Sequence, residues 1–523
     1  MKASKISAGL LAGNRLLLWL ISFIVFAGMA SVWAISSPLS SVPDEPAHIV
    51  KAAGVVRGQP FGERAVSPDG HAFWTYKVPE AYAEVRNLSC NAFRSFEPVT
   101  GCEIVIDAPE GSLFDADSGA GGYNPTYYYL VGWPSLVLPN LQGILAMRLV
   151  SGLLAAAFFA SAVWATSWLR RRALPIISIF LTATPSVLFY AGGVNPQGLE
   201  VSTLAAFTAA YFVALQTRAR GRLLWSLATI MMIAGALGAQ TRNLAWVWLG
   251  AIVLVGMVWV GIRRWGRFVW RLPVVIAVIA VIAAIVVNLA ILFALSSLQG
   301  GGEFWGAGIS AANGFVFMLW RFTEFFTSMF ALFGWMDVDG GWAVLIYIAV
   351  TASLIAAALL ARARVRSRIA LLTALAVWWM LPALVQAMTV TQFGFIWQGR
   401  YSLPLWVLTM FVAALTLAPA FERAAIWLKW RLVITAACAI AFAQVSALVA
   451  NLHRQYYGLH EPLSYLLSFR GASDLSFDLP PIVGPAGWIL IMSMFATLLA
   501  LLICSAGRPG PQETERTVSA TRL

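Results

Sequence analysis

For its length the chain carries little charge: of 523 residues, 11% are Asp, Glu, Lys or Arg, and 60% are hydrophobic. It holds four cysteines and four histidines, and only five of its basic residues are lysine. So little charge excludes a disordered chain and a soluble globular one. So few cysteines exclude a scaffold built from disulfides. Ionisable residues are almost missing from the middle of the apolar runs, which counts against an ion-coupled pump, because a translocated charge needs partners at membrane depth. No internal repeat is visible.

What the chain does have is long apolar runs. They lie at about Leu16–Ile35, Ile144–Trp168, Leu174–Gly192, Gly198–Gln216, Leu223–Gln240 and Leu244–Ile262. Six more follow at about Leu272–Ser296, Trp342–Ala361, Ile369–Thr389, Leu403–Ala418, Leu432–Ala450 and Gly487–Cys504. Each is near the roughly 20 residues that a helix needs to cross a bilayer. With a mean hydropathy of +0.78, this predicts an all-α polytopic membrane protein of about 12 transmembrane helices.

The net charge of +12 has a positional explanation and does not point to nucleic acid. Clusters such as Arg170–Arg172, Arg218/Arg220/Arg222, Arg263/Arg264/Arg267/Arg271 and Arg362/Arg364/Arg366/Arg368 fill every second connection. Together with Lys2, Lys5, Arg15, Arg423, Lys429, Arg431 and the tail, these connections hold 23 of the 35 basic residues. The positive-inside rule then predicts that both termini are cytoplasmic and the acidic loops face out. Counting Phe315–Phe333 as a span would put Arg362–Arg368 outside, so it reads as an amphipathic helix on the outer surface. The organisation expected is a cytoplasmic N-terminus and first span (1–35), a first extracytoplasmic loop with interfacial helices (36–143), a transmembrane bundle (144–504) and a disordered cytoplasmic tail (505–523). The first run exceeds the 7–15 apolar residues of a signal peptide, which favours an uncleaved span.

Polar chemistry gathers at the outer ends of the spans. Pro43-Asp44-Glu45-Pro46-Ala47-His48 puts two adjacent carboxylates just past the first span. Two readings stand for this pair: a helix N-terminus, which favours carboxylates and an early proline, or a base or cation ligand at the membrane surface. Hard oxygen ligands at Asp44 and Glu45 suit a divalent cation, and His48 falls one turn after Asp44 if a helix begins there. Arg242 and Arg400 stand out in connections otherwise poor in basic charge. Each reads either as a bidentate phosphate clamp or as an anchor reaching lipid headgroups. Phe73, Trp74 and Tyr76 read either as sugar-stacking residues or as the core of the loop. Cys90 and Cys102 share the first loop, where an oxidising exterior permits a disulfide; two free thiols also fit the spacing.

The motifs Pro43-Asp44-Glu45-Pro46-Ala47-His48, Asn124-Pro125-Thr126-Tyr127-Tyr128, Asn195-Pro196-Gln197-Gly198-Leu199-Glu200 and Gln398-Gly399-Arg400-Tyr401 together resemble a family of bacterial predicted membrane proteins of unknown function. That family is grouped with the GT-C glycosyltransferases. The resemblance runs in order from about Val42 to Leu405. It implies a GT-C-like fold in the bacterial inner (plasma) membrane, with a catalytic acid in the first outer loop. It also implies transfer of a sugar from a polyprenyl-phosphate carrier to an extracytoplasmic glycan, lipid or protein acceptor, with inversion. Asp44 then takes the catalytic position, with Glu45 as the alternate and His48 beside them. Arg400 and Arg242, with Gln398 and Tyr401, are expected at the donor phosphate. The alternatives are a flippase or exporter of lipid-linked sugar, an outer-face binding protein, and a polysaccharide ligase or polymerase.

The predicted topology places Ser367 in a cytoplasmic arginine-rich connection. A cysteine introduced there is expected to resist a membrane-impermeant thiol reagent on intact cells and to react after permeabilisation.

Overall fold

A computed structural model describes residues 14–68, 71–90, 92–99, 102, 104–109, 111–295, 304–468 and 483–506. The expected disordered tail lies outside the described residues from 507 onward, as do Lys2 and Lys5. Helix α1, Arg15–Ser36, is capped by the Asn14 side chain, which accepts from the Leu17 N–H at 3.1 Å. After a short turn comes α2, Glu45–Val56. A three-stranded antiparallel sheet then forms from β1 (Glu63–Val66), β2 (Ala72–Pro79) and β3 (Leu113–Ser118), with β2 in the middle. This sheet was not expected. Its strands are short, and only β2 shows the alternation that marks a half-buried strand, with Trp74, Tyr76 and Val78 inward and Thr75 and Lys77 outward. Trp74 and Tyr76 thus lie in the loop's own core with Tyr82, Tyr127 and Tyr128. Gly54 lets α2 approach this strand: a Cβ there would meet the Tyr76 ring at 2.4 Å. Cys90 and Cys102 are joined as a disulfide, Cα–Cα 5.6 Å.

All twelve apolar stretches are helical. Ten helices among the described residues are long and apolar enough to cross a membrane, and two bent pairs bring the number to twelve if each counts as one span. The pair Ala173–Thr182 and Pro185–Ala191 bends by 57°, where Thr184 and Pro185 begin a new helix. The pair Ala245–Val260 and Ile262–Val269 turns by 120° at Gly261, whose φ of 83° suits glycine. Its second arm carries Arg263, Arg264 and Arg267, so charge turns it away from the apolar direction of the first. The ambiguous stretch Phe315–Phe333 contains two short helices, Ala311–Trp320 and Phe322–Ser328, and the start of a small hairpin, Leu332–Phe333 with Val338–Asp339.

Among the spans, α3 is Leu141–Thr166, α4 is Pro196–Thr217, α5 is Gly221–Thr241 and α6 is Leu403–Arg423. Helix α4 is the centre of the bundle, buried from Pro196 to Leu215. Its Ala205, Ala206, Ala209, Ala210 and Ala214, with Gly235 and Gly238 of α5, allow the close backbone approach on which membrane helix packing depends.

One interaction ties the first loop to this bundle. Arg148, on the second turn of α3, and Glu45, at the start of α2, are both fully buried and paired through two bonds. Nε donates to Oε1 at 2.7 Å and Nη2 to Oε2 at 2.6 Å. The remaining donors of Arg148 go to the carbonyls of Ala34 and Ser37 (3.0 and 2.8 Å) and of Pro38 (2.7 Å). All five guanidinium N–H groups are therefore used. Glu45 Oε1 also accepts from the Val194 N–H at 2.9 Å, next to the start of α4.

Removing one partner leaves a buried charge without compensation. Arg148→Met is expected to lower stability by about 3–5 kcal/mol. In the double variant Glu45→Met/Arg148→Met part of that loss returns, because neither charge is left alone. Thermal unfolding of the detergent-solubilised chain measures both.

Candidate active site

Asp44 occupies the N-cap position of α2 without capping it. Its carbonyl accepts from the His48 N–H at 3.2 Å and begins the helix, but its side chain makes no bond to the first turn. Its φ of 64° is left-handed, a conformation that asparagine and aspartate tolerate better than other side-chain-bearing residues. This turns the carboxylate away from the helix, 55% exposed, and onto Arg400: Nη2 donates to Oδ2 at 2.8 Å. Glu45, the very next residue, faces the opposite way into Arg148. The two carboxylates therefore do not converge on one point, and Glu45, the candidate alternate base and metal ligand, has both oxygens bonded to a guanidinium. Among the described residues no group of three His, Cys, Asp or Glu is placed to hold a metal ion.

Arg400 comes from a 3₁₀ turn, Gly399–Ser402, that leads into α6. Gly399 is needed for a close approach, since a Cβ would meet the Phe325 carbonyl at 2.3 Å and Ser328 Oγ at 2.2 Å. The Arg400 side chain is 3% exposed. Only Nη2 is spent on Asp44; Nε and Nη1 are buried without a hydrogen-bond acceptor. Its guanidinium carbon lies 5.4 Å from the ring centres of both Tyr190 and Tyr401.

Arg242, just past α5, lies 4.6 Å from the centre of the same Tyr401 ring and 5.8 Å from that of Tyr123. It donates from Nη1 to Gln197 Oε1 at 2.6 Å. Gln398 accepts the Tyr401 N–H on its carbonyl at 3.0 Å, and its side-chain Oε1 is buried without a donor. His48 stands one turn along from Asp44, with Nδ1 2.8 Å from the Tyr128 hydroxyl and its ring near those of Tyr123 and Tyr128. The structure thus gathers Asp44, His48, Arg242, Arg400 and Tyr401, from three separate segments. It sends Glu45 elsewhere.

Beside this group lies a cavity of about 290 Å³. Arg242, Tyr401, Tyr123 and Glu200 form its polar wall, and Trp248, Val385, Phe393, Ile396 and Trp397 its apolar one.

Sequence reasoning missed four residues here. Arg148 had a signal, a lone arginine inside an apolar run, which must find a partner. Gln197 and Glu200 stood in a quoted motif without a role, since nothing local says what they face. Lys51, fully buried, donates from Nζ to the carbonyls of Ala120 (3.1 Å), Gly121 (2.9 Å) and Tyr123, fixing the turn that presents Tyr123.

The family model described as predicted membrane protein (DUF2142) matches residues 26–409, which include every residue of this group. The chain belongs to the DUF2142 family. No curated protein matches this DUF2142 chain. A crystal structure of ArnT from Cupriavidus metallidurans, bound to undecaprenyl phosphate, is similar at 11% identity with a TM-score of 0.45, over 94% of this chain and 76% of that one.

Charge in the group is set by burial and by the two arginines. Burial works against the Asp44 carboxylate, but Arg400, with His48 and Arg242, outweighs it and holds the pKa below its ordinary value. Burial pushes His48 down to about 3, with Arg242, Arg400 and Lys51 adding to the effect and Asp44 opposing it. Folded His48 is therefore neutral at pH 7, whereas in the unfolded chain it gains a proton as pH falls through 6.5. Between those values the unfolded state binds more protons, so stability falls as pH is lowered, by up to about 1.4 kcal/mol per unit. His48→Gln is expected to flatten this part of the melting-temperature profile between pH 6.5 and about 4.

Proposed function

We propose that this protein is a membrane glycosyltransferase of GT-C type. It takes a sugar from a polyprenyl-phosphate carrier and transfers it, with inversion, to a glycan, lipid or protein acceptor outside the bacterial plasma membrane. Both termini then lie in the cytoplasm, as the placement of basic charge implies. The observation that carries the reading is the Asp44–Arg400 pair: a half-exposed carboxylate on a buried guanidinium whose Nε and Nη1 have no acceptor. The resemblance of the motifs to a family grouped with the GT-C glycosyltransferases supports the same assignment.

In this mechanism the acceptor hydroxyl oxygen forms a bond to the anomeric carbon while Asp44 takes its proton. The bond from that carbon to the phosphate oxygen breaks, and its electron pair leaves with the lipid phosphate. A phosphate leaves without a general acid, so in-line displacement needs one carboxylate as base rather than the pair a glycosidase uses, which suits a site where Glu45 is committed to Arg148. Charge grows on the leaving phosphate, and Arg400 and Arg242 are the groups to receive it. Once a phosphate shares Arg400, Asp44 is less strongly held in its ionised form and becomes a better base. The cavity wall of Val385, Phe393 and Ile396 suits the first isoprene units of the carrier.

The test is sugar transfer from labelled polyprenyl-phosphate donors in membranes carrying each variant at matched expression. Asp44→Asn is expected to lower the rate about 10²–10⁴-fold. Arg400→Ala should be severe, and Arg400→Lys, which keeps charge but loses the planar fork, intermediate. Full activity in Asp44→Asn would end the assignment.

A further inference from the structure

Gln197 is fully buried in the first turn of α4, yet its side chain bonds outward to the site on both sides. Its Oε1 accepts from Arg242 Nη1 at 2.6 Å, while its Nε2 donates to Glu200 Oε2 at 2.9 Å and to the Arg400 carbonyl at 3.4 Å. The preceding turn adds two bonds to the base segment. Asn195 Nδ2 donates to the carbonyl of Pro43, the residue before Asp44, at 3.0 Å, and Val194 N–H donates to Glu45. One turn of chain thus touches the backbone beside Asp44, the backbone of Arg400 and the side chain of Arg242.

The chemistry of the amide matters here. A glutamine has one acceptor and one donor group, and with Nε2 committed to Glu200 and the Arg400 carbonyl, Oε1 is the atom left for Arg242. A neutral acceptor fixes where a guanidinium lies without cancelling its charge. A carboxylate in the same place would form an ion pair and compete with any anionic ligand. We propose that Gln197 is a positioning residue for anion binding: it holds Arg242 at the cavity wall through a neutral acceptor, and Glu200 keeps the amide in the orientation that does so. This rests on the reading that the cavity receives a lipid phosphate.

The experiment is equilibrium binding of radiolabelled farnesyl phosphate to the full chain in nanodiscs, with farnesol as the uncharged control. Gln197→Glu, equal in size but ionised, is expected to weaken farnesyl phosphate binding about tenfold and leave farnesol unaffected. Lowering the pH towards the carboxyl range, about 4 to 5, should narrow the deficit relative to wild type. Gln197→Met, equal in length and without an acceptor, should bind the phosphate better than Gln197→Glu, because Arg242 keeps its charge. Wild-type affinity in Gln197→Glu, or equal losses for phosphate and alcohol in both variants, would overturn the inference. A wild-type chain that binds farnesol as well as farnesyl phosphate would overturn the lipid-phosphate reading, and this inference with it.

Discussion

A guanidinium buried among apolar helices has to be satisfied completely, because each unfilled donor costs free energy that lipid cannot return. Arg148 meets that demand by drawing on three pieces of chain at once: the end of α1, the turn after it and the start of α2. The consequence is geometric. With Ala34, Ser37, Pro38 and Glu45 all fixed to one side chain, the path between α1 and α2 has little freedom. Asp44, one residue before Glu45, then lies where Arg400 can reach it. The Val194 N–H on Glu45 extends the same constraint to α4, the most buried helix of the bundle.

Most of the architecture was legible because membrane crossing is a constraint on length and polarity, both written locally. Every one of the twelve apolar runs is helical, and the two that bend do so at Thr184-Pro185 and Gly261, residues that end or redirect helices. The sheet of the first loop was not legible. Glu63–Val66 and Leu113–Ser118 are mostly exposed strands whose residues alternate weakly, and the pairing of β3 with β2 runs from Pro79–Leu113 to Trp74–Ser118, a distance along the chain that no local pattern reports.

For the site, legibility followed the same division. Arg242 and Arg400 could be singled out because basic charge is rare in the outer connections, and Asp44 because it follows the first span within a few residues. Which of two neighbouring carboxylates meets Arg400 could not be read, since Asp44 and Glu45 differ only in partners that lie 356 and 103 residues away. Hydropathy averaged over a span also hides a single Arg148. Gln197 and Glu200 are silent for another reason: what they contact are other side chains, and that is a property of the packed molecule.

The two arginine–carboxylate pairs make opposite use of the same chemistry. In Arg148–Glu45 all five donors are filled, both groups are fully buried, and any exchange of partner leaves a charge uncompensated; such a pair is static. In Arg400–Asp44 the carboxylate is half exposed and two buried nitrogens of the guanidinium, Nε and Nη1, have no acceptor, an arrangement that costs free energy. A fully filled pair there would be more stable. The adjacent positions Asp44 and Glu45 thus divide the work: the second fixes the chain so that the first can hold an incomplete ion pair open. An incomplete buried pair persists only where the surrounding structure enforces it, and here that enforcement runs through Arg148 and through the amide of Gln197, which holds Arg242 by its side chain and Arg400 by its backbone.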